Sequence, residues 1–310
     1  MHKLFTFLSL PLLLFGLAAA HKPSDREDEQ LLGPVRSVNS QTTMSLEGEP
    51  KTSKGLTRQL DLVAYDDRGN EAERTIYDDY GFLRGRHVNK RDPDGHLVEG
   101  IMSDPKGAVL GREVYVYSGG KLAETVSYDG KGEVGLREVR AYDERGQLSE
   151  VTYYEGTKAF GKTVYRYDGE GRGSEMVFYL ADGSKAVAPI GPCLGAHRMT
   201  YSYDEKGRSQ KVVAYETNGK MKKSWFYAYN DRGLMAEEKV ESDGSYATSV
   251  YAYEYDKRGN WTRRTETETT LHKPGQFRIL RDLGYDEPDE MPPSRARIIY
   301  SRKIAYYEGG

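Results

Sequence analysis

The amino-acid sequence predicts an all-β protein built as an extended antiparallel meander of repeated hairpins. Two observations carry this prediction: a four-residue turn motif recurs along the chain, and tyrosine alternates with other residues between the turns. We expect the meander to form a twisted, curled or half-closed sheet, a solenoid-like or shell-like strip, because open sheets of this many strands curl or flatten.

The turn motif consists of Asp or Asn, two further residues and Gly. The acid or amide side chain bonds nearby backbone N–H groups, and Gly takes the positive φ that other residues resist. In residues 92–95 and 104–107, proline also presets the φ that a type I turn requires. Turn glycines recur about every 13 residues, a spacing typical of short antiparallel strands. The motif begins at Asp66, Asp78, Asp92, Asp104, Asp129, Asp143, Asp168, Asp204, Asn230 and Asp256.

Aromatic residues alternate with other residues in the strands that precede several turns. Because successive side chains of a strand point to opposite faces, these aromatic side chains line one face as a stripe. Such a stripe either packs on itself or presents flat rings to a ligand such as a sugar. The candidate aromatic binding face comprises Tyr165, Tyr167, Tyr201, Tyr203, Trp225, Tyr227, Tyr229, Tyr251, Tyr253 and Tyr255.

Composition favours a sheet over a thick two-layer globule. Hydrophobic residues make up 37% of the chain, charged residues 30%, and 25 of the 310 residues are tyrosine, which tolerates half-burial with its hydroxyl in water. The formal net charge of −3 gives no electrostatic basis for a nucleic-acid partner.

The N-terminus has the pattern of a cleaved signal peptide spanning residues 1–20. Lys3 precedes an apolar run, and Ala18, Ala19 and Ala20 supply the small residues of a cleavage site. The run is short for a membrane span, so we expect an exported mature chain without an integral span, in the periplasm or outside the cell. We expect a flexible lead-in at 21–33, hairpin repeats at 34–269, a proline-containing loop or cap at 270–296, and a closing strand and tail at 297–310.

The sequence indicates no catalytic residue, no cofactor and no metal site. Cys193 would need His197 as a partner to act as a nucleophile, and we interpret it as a small, semi-buried hydrophobic residue instead. Asp92 and Asp94 match part of a calcium loop whose later ligands are missing, so we assign them to a turn. Because every turn carries a carboxylate, no pair stands out as a glycosidase acid and nucleophile, and we expect no enzymatic activity.

The segments Tyr-Asp-Glu-Arg-Gly-Gln-Leu at 142–148 and Tyr-Asp-Glu-Lys-Gly-Arg at 203–208 resemble the tyrosine–aspartate (YD) repeats of the rearrangement-hotspot (Rhs) family. The turn Asp-Pro-Asp-Gly at 92–95 does so too, and the resemblance covers roughly residues 60–265. It implies a small, stand-alone exported member of a family whose large members form curled β-shells around a toxin or ligand. With about 16 turns, we expect the chain to form too few strands for a closed shell.

We therefore expect a non-catalytic exported repeat protein that acts as a binding or scaffolding module at the cell envelope or outside the cell. Its expected partner is an envelope or extracellular polysaccharide, or a protein. The alternatives are a carbohydrate-active or toxin-associated component of the Rhs type and a purely structural protein. An outer-membrane barrel also has alternating strands of about ten residues with aromatic side chains. The many charged residues in the strands argue against that interpretation.

Overall fold

The computed structural model describes residues 24–46, 56–78, 80–242, 245–272 and 294–307, in which eighteen antiparallel strands form one sheet. A short helix, α1, precedes them, and the connections are mostly tight turns. The elements are α1 (Asp25–Asp28), β1 (Val35–Leu46), β2 (Leu56–Tyr65), β3 (Glu71–Tyr77), β4 (Leu83–Arg91), β5 (Leu97–Ser103), β6 (Val109–Ser118), β7 (Lys121–Asp129), β8 (Val134–Tyr142), β9 (Leu148–Glu155), β10 (Lys158–Tyr167), β11 (Gly173–Leu180), β12 (Arg198–Tyr203), β13 (Ser209–Tyr215), β14 (Met221–Tyr229), β15 (Met235–Ser242), β16 (Ser245–Tyr255), β17 (Trp261–His272) and β18 (Ser294–Tyr306).

The sheet is a closed barrel. Each strand pairs with its neighbours in the sequence, and β1 also pairs with β18, in a register that runs from Val35 opposite Tyr306 to Leu46 opposite Ala296. The all-β prediction is confirmed, but the prediction of an open, half-closed or solenoid-like strip is wrong. The reason is that β18 pairs with β17 on one side and with β1 on the other, so no edge remains to be protected.

The ring is wide enough to enclose a lumen. Eighteen strands spaced at about 4.8 Å give a circumference of about 86 Å, and hence a backbone diameter of roughly 27 Å for a circular section. Barrels of 16 to 18 strands are of a size that leaves a water-filled interior. The inward side chains of most strands remain partly exposed, which agrees with a lumen that is not packed solid.

The predicted turn chemistry is confirmed. In the turn between β2 and β3, the Gly69 N–H donates to the Asp66 carbonyl at 3.1 Å, and the Asn70 N–H donates to Asp66 Oδ1 at 2.8 Å. Gly69 has a φ of +91°. Backbone N–H groups also hold the pKa of the equivalent Asp129 and Asp168 carboxyls below their usual range. These aspartates therefore serve turn geometry.

The two ends of the barrel differ. We call the end where β1 begins and β18 ends the terminal mouth, and the opposite end the far mouth. Each hairpin repeat contributes one turn to each end of the barrel. Most turns directly preceded by tyrosine lie at the terminal mouth. Two consecutive turns, one at each end of the barrel, thus belong to one two-strand unit.

Residues 24–34 lie across part of the terminal mouth. Ser24 caps α1, and the Asp25 carboxylate accepts hydrogen bonds from the Glu71 N–H at 2.6 Å and from Arg91 at 2.7 Å. The Asn260 side chain bonds both the N–H and the carbonyl of Leu32. A buried apolar cluster continues this contact into the barrel and contains Leu31, Val35, Val38, Val63 and Tyr65. Part of the predicted lead-in, within residues 24–33, is thus bonded to the barrel, and its residues 21–23 lie outside the described ranges.

A second segment, residues 181–197, connects β11 to β12 at the far mouth and packs onto the lumen face. The main apolar cluster joins two residues of this segment, Ala188 and Cys193, to strand residues Val151, Tyr153, Tyr165, Met176 and Phe178. Gly191 lies so close to Tyr153 that an added Cβ would stand 2.5 Å from the phenol oxygen. This segment fills the part of the lumen beside β9–β12. The predicted signal peptide at 1–20 lies outside the described residues, as does most of the predicted cap at 270–296.

Candidate functional site

The ten aromatic residues singled out from the sequence lie on one face of the barrel wall. They belong to β10, β12, β14 and β16, and in β16 Tyr251, Tyr253 and Tyr255 are half-buried, whereas Ala252 and Glu254 between them are exposed. In a closed barrel, side chains converge on the inside and splay on the outside, so the less exposed face is the lumen face. Trp261 of β17 and Tyr300 of β18 extend this aromatic face.

The tyrosines nearest the terminal mouth have a structural role that the sequence did not reveal. Their hydroxyls donate to backbone carbonyls of the preceding hairpin and so tie each repeat to the next. The only visible signal was a tyrosine at a constant position before the turn. The bonds run from Tyr142 to Leu122 (2.8 Å), Tyr167 to Leu148 (2.7 Å), Tyr203 to Gly173 (2.5 Å) and Tyr229 to Ser209 (2.7 Å). In β16 the equivalent bond is made by Tyr253, two residues further from the turn, to the Met235 carbonyl (2.8 Å).

Arginines of the same turns cover the rings of these tyrosines. A guanidinium from one turn lies over the tyrosine of the following repeat, a contact favourable to both cation and ring. Tyr203 and Tyr229 are therefore held on both the hydroxyl and the ring face, which leaves little of either for a ligand. The contacts are Arg172 over Tyr203 (4.8 Å), Arg208 over Tyr229 (4.5 Å), Arg232 over Tyr255 (4.0 Å) and Arg258 over Tyr306 (4.6 Å).

The remaining members of the aromatic face differ in how deeply their side chains are buried. Tyr165 is buried, at 7% exposure, in the cluster beneath residues 181–197, and burial also raises the pKa of Tyr201. Trp225, Tyr227 and Tyr251 lie nearer the middle of β14 and β16, half-buried on the lumen face. These three, with the ring of Tyr253, are the part of the predicted face available to a molecule in the lumen.

Carboxylates stand among these rings on the same face. The Tyr251 hydroxyl lies 3.1 Å from Glu238 Oε2 and 3.4 Å from Glu266 Oε1, and the Ser249 hydroxyl donates to Glu266 Oε1 at 2.8 Å. Burial raises the pKa of Glu238, and the Glu266 charge adds to this effect. These two acids are brought together only by the pairing of β15, β16 and β17, so no sequence pattern singled them out.

A similar arrangement of tyrosine and carboxylate side chains occurs elsewhere on the lumen face, in β6–β8. The Tyr115 hydroxyl donates to Glu113 Oε2 at 2.7 Å, and Arg140 bonds Glu138 at 2.7 Å. Burial raises the pKa of Glu138 as well. The lumen is thus lined by rings interleaved with hydrogen-bonding carboxylates, hydroxyls and guanidinium groups, a lining suited to a polar ligand with flat apolar faces.

The outer face of the wall carries ion pairs between neighbouring strands. Exposed pairs of this kind contribute at most about 1 kcal/mol each. Within the described ranges, the structure contains no helix of the length and apolarity needed to cross a membrane. The outer pairs include Lys90–Glu99 (2.7 Å), Arg137–Glu124 (2.8 Å), Lys162–Glu150 (2.7 Å) and Arg166–Glu175 (2.8 Å).

Asp92, Asp94 and His96 form a group whose potential ligand atoms lie within 4.8 Å of one another. Both oxygens of Asp92 are engaged within the turn, since Oδ1 accepts the His96 N–H at 2.8 Å and Oδ2 lies 3.0 Å from His96 Nδ1. The geometry of this group is accounted for by the turn.

Cys193 is a packing residue, as the sequence interpretation holds. Its side chain has no exposed surface, and burial raises the pKa of the thiol to about 12. The nearby His197 has its Nδ1 3.1 Å from the Ala186 carbonyl oxygen.

We expect Cys193 to resist alkylation in the folded protein at neutral and mildly alkaline pH, because the thiol is both covered and protonated. Mass spectrometry after treatment with iodoacetamide checks this, and the same treatment in concentrated urea should label the residue completely. Rapid labelling of the folded protein would contradict the packing of residues 181–197 against the lumen wall.

The fold and this lining define the class: a closed antiparallel β-barrel with an aromatic and polar lumen. No protein-family model and no curated protein matches the chain. The YD-repeat likeness is therefore one of sequence pattern, and membership of the Rhs family is not confirmed.

Several solved structures are similar at low TM-score. A porin-like protein from Bacteroides uniformis is 11% identical, with 88% of this chain and 98% of that chain covered and a TM-score of 0.42. The Tc holotoxin pore from Photorhabdus luminescens is 10% identical over 76% of this chain but only 18% of that chain, with a TM-score of 0.30. A DUF1329 family protein from Desulfovibrio piger is 9% identical over 92% and 90% of the two chains, with a TM-score of 0.20. Likenesses at this level do not bear on function.

Proposed function

We propose that the protein is a non-catalytic binding protein that holds a carbohydrate in the lumen of its barrel. The observation that carries this proposal is the lumen face of β14–β18, where Trp225, Tyr227, Tyr251 and Tyr253 alternate in space with Glu238 and other hydrogen-bonding groups. The rest of the barrel acts as a rigid frame for this face.

A sugar matches this lining chemically. Its rings have apolar C–H faces that pack on aromatic side chains, and its hydroxyls donate to carboxylates and accept from tyrosine and arginine. The ring of Tyr253 is fixed by its own hydroxyl bond to the Met235 carbonyl, so the platform is ordered before a ligand arrives.

The proposal includes the location of the protein in the cell. The leader-like residues 1–20 support export, with the mature barrel in the periplasm or outside the cell. The charged outer wall favours a barrel surrounded by water, acting as a soluble binding or scaffolding module of the envelope.

Intrinsic fluorescence tests the proposal directly, because the chain has two tryptophans, Trp225 and Trp261, and both belong to the lumen face. We expect saturable fluorescence changes with oligosaccharides prepared from envelope or extracellular polysaccharides. Tyr227→Ala should weaken binding by about 2 kcal/mol, or about 30-fold in Kd, because an aromatic contact is lost. Tyr253→Ala should do the same, whereas Tyr253→Phe keeps the ring and should bind almost as well.

Tyr80→Ala is the matched control, since Tyr80 is 76% exposed on a far-mouth turn. If no oligosaccharide binds, or if the control variant loses binding equally, the proposal fails. Capture of one protein partner by the immobilised mature protein, without glycan binding, would favour assembly instead. Turnover of a bound glycan would contradict the non-catalytic assignment.

A further inference from the structure

Trp261 lies between two arginines on the lumen face near the terminal mouth. The Arg302 guanidinium carbon is 3.7 Å from the centroid of the Trp261 ring, and that of Arg264 is 5.7 Å from it. Arg264 also lies 4.0 Å from the ring centroid of Tyr300. Stacking fixes the planes of both guanidinium groups while leaving their N–H edges to be satisfied by other partners.

The N–H groups on these edges are only partly hydrogen-bonded. Nε and Nη1 of Arg302 and Nε of Arg264 are buried and have no hydrogen-bond acceptor. Arg302 has 15% of its side chain exposed, and burial lowers its pKa. A buried guanidinium with unpaired donors is costly unless an anion or another acceptor satisfies it.

The acidic groups near this site are mostly engaged elsewhere. Asp61 and Glu71 both bond Arg74 at 2.5 Å, and Glu266 accepts the Ser249 hydroxyl. The acid that pairs with Arg302 is Glu29, with Oε2 3.1 Å from Nη2.

Glu29 belongs to the segment that lies across the terminal mouth, not to the barrel wall. Its side chain is 48% exposed. Beneath it lies a cavity of about 60 Å³ whose lining includes Glu29, Asp61, Arg74 and Arg302. The Glu29 carboxylate thus accepts from Nη2 of Arg302, while Nε and Nη1 of the same guanidinium have no acceptor.

We propose that Arg302 and Arg264, with the ring of Trp261, form a subsite for the carboxylate of an acidic glycan, such as one built of uronic acid units. Glu29 holds Arg302 in the unliganded protein and is displaced or supplemented when the ligand carboxylate binds. The guanidinium fork suits a carboxylate bidentately, and the adjoining rings suit the sugar that carries it. The inference rests on the proposed function and specifies its ligand class as anionic.

The test uses the full mature chain and follows its intrinsic fluorescence, to which Trp261 and Trp225 both contribute. The probes are hexagalacturonate and the neutral maltohexaose. We expect hexagalacturonate to bind at least 10-fold more tightly, with affinity that falls as salt rises. Arg302→Gln should remove this preference, and Arg302→Lys should restore part of it. Glu29→Gln should raise the affinity for hexagalacturonate several-fold, since a competing carboxylate is removed.

Circular dichroism of each variant verifies that the barrel is folded, and the Glu29→Gln gain gives a readout that loss of folding cannot imitate. Equal binding of both sugars, or an unchanged preference in Arg302→Gln, overturns the inference and leaves the proposed function standing. Failure of every oligosaccharide to bind overturns the proposed function itself. Arg302-dependent binding of polyglutamate as tight as that of hexagalacturonate overturns the assignment of a glycan.

Discussion

Cysteines introduced at Gln41 and Ser301 are expected to form a disulfide that links the first strand to the last. The two positions are exposed partners in the pairing of β1 with β18. In an open strip the same strands would lie at opposite edges, on the order of 80 Å apart. Because the bond closes a loop of about 260 residues, it should stabilise the barrel by up to about 5 kcal/mol.

Peptide mapping under oxidising conditions identifies the cross-link, and thermal melts with and without reductant measure its effect. Gln41→Cys combined with Arg297→Cys is the matched control, because Arg297 lies four residues along β18, roughly 13 Å from the partner position. If the control pair cross-links as fast as the first pair, or if neither pair does, the register that closes the barrel is wrong.

The folded barrel is expected to lose stability steeply as the pH rises above 10. Burial raises the pKa of the Tyr153 phenol from 10.0 to about 12, so the folded state retains a proton that the unfolded chain has lost. This contribution is fully present below pH 10 and is lost as the pH rises through 12. For Tyr153, which is 1% exposed, two pH units correspond to about 3 kcal/mol.

Other lumen tyrosines act in the same direction, since burial also raises the pKa of Tyr115, Tyr165 and Tyr227. Thermal melts across this pH range, together with phenolate absorbance, measure the effect. Tyr153→Phe keeps the ring in the core but removes the phenol. The variant should therefore lose less stability as the pH rises, by the contribution of Tyr153. Complete phenolate formation near pH 10 in a protein that remains folded would show that these hydroxyls are not buried.

The local structure was predictable from the sequence because its causes are local. An acid or amide followed three residues later by glycine determines a turn wherever it occurs, and alternating tyrosines determine which side chains share a face. The closure was not predictable in the same way. It depends on pairing between Val35 and Tyr306, at opposite ends of the chain, and no pattern in either strand indicates the other.

The candidate site was predictable in part for the same reason. Trp225, Tyr227 and Tyr253 follow from alternation within single strands. Trp261 and Arg302 meet only because β17 pairs with β18 and the wall curves, so neither was selected from the sequence. The hydroxyl bonds between repeats, such as Tyr229 to the Ser209 carbonyl, likewise required the register of the strands.

Closure by antiparallel neighbours also restricts how such a protein can change in size. Around a ring in which every strand runs opposite to both neighbours, the number of strands must be even, and here it is eighteen. A single added strand would meet a parallel partner at the seam, whereas a whole hairpin of roughly 26 residues preserves the alternation and widens the circumference by about 10 Å. Gene duplication of one repeat therefore changes the bore of this barrel in discrete steps.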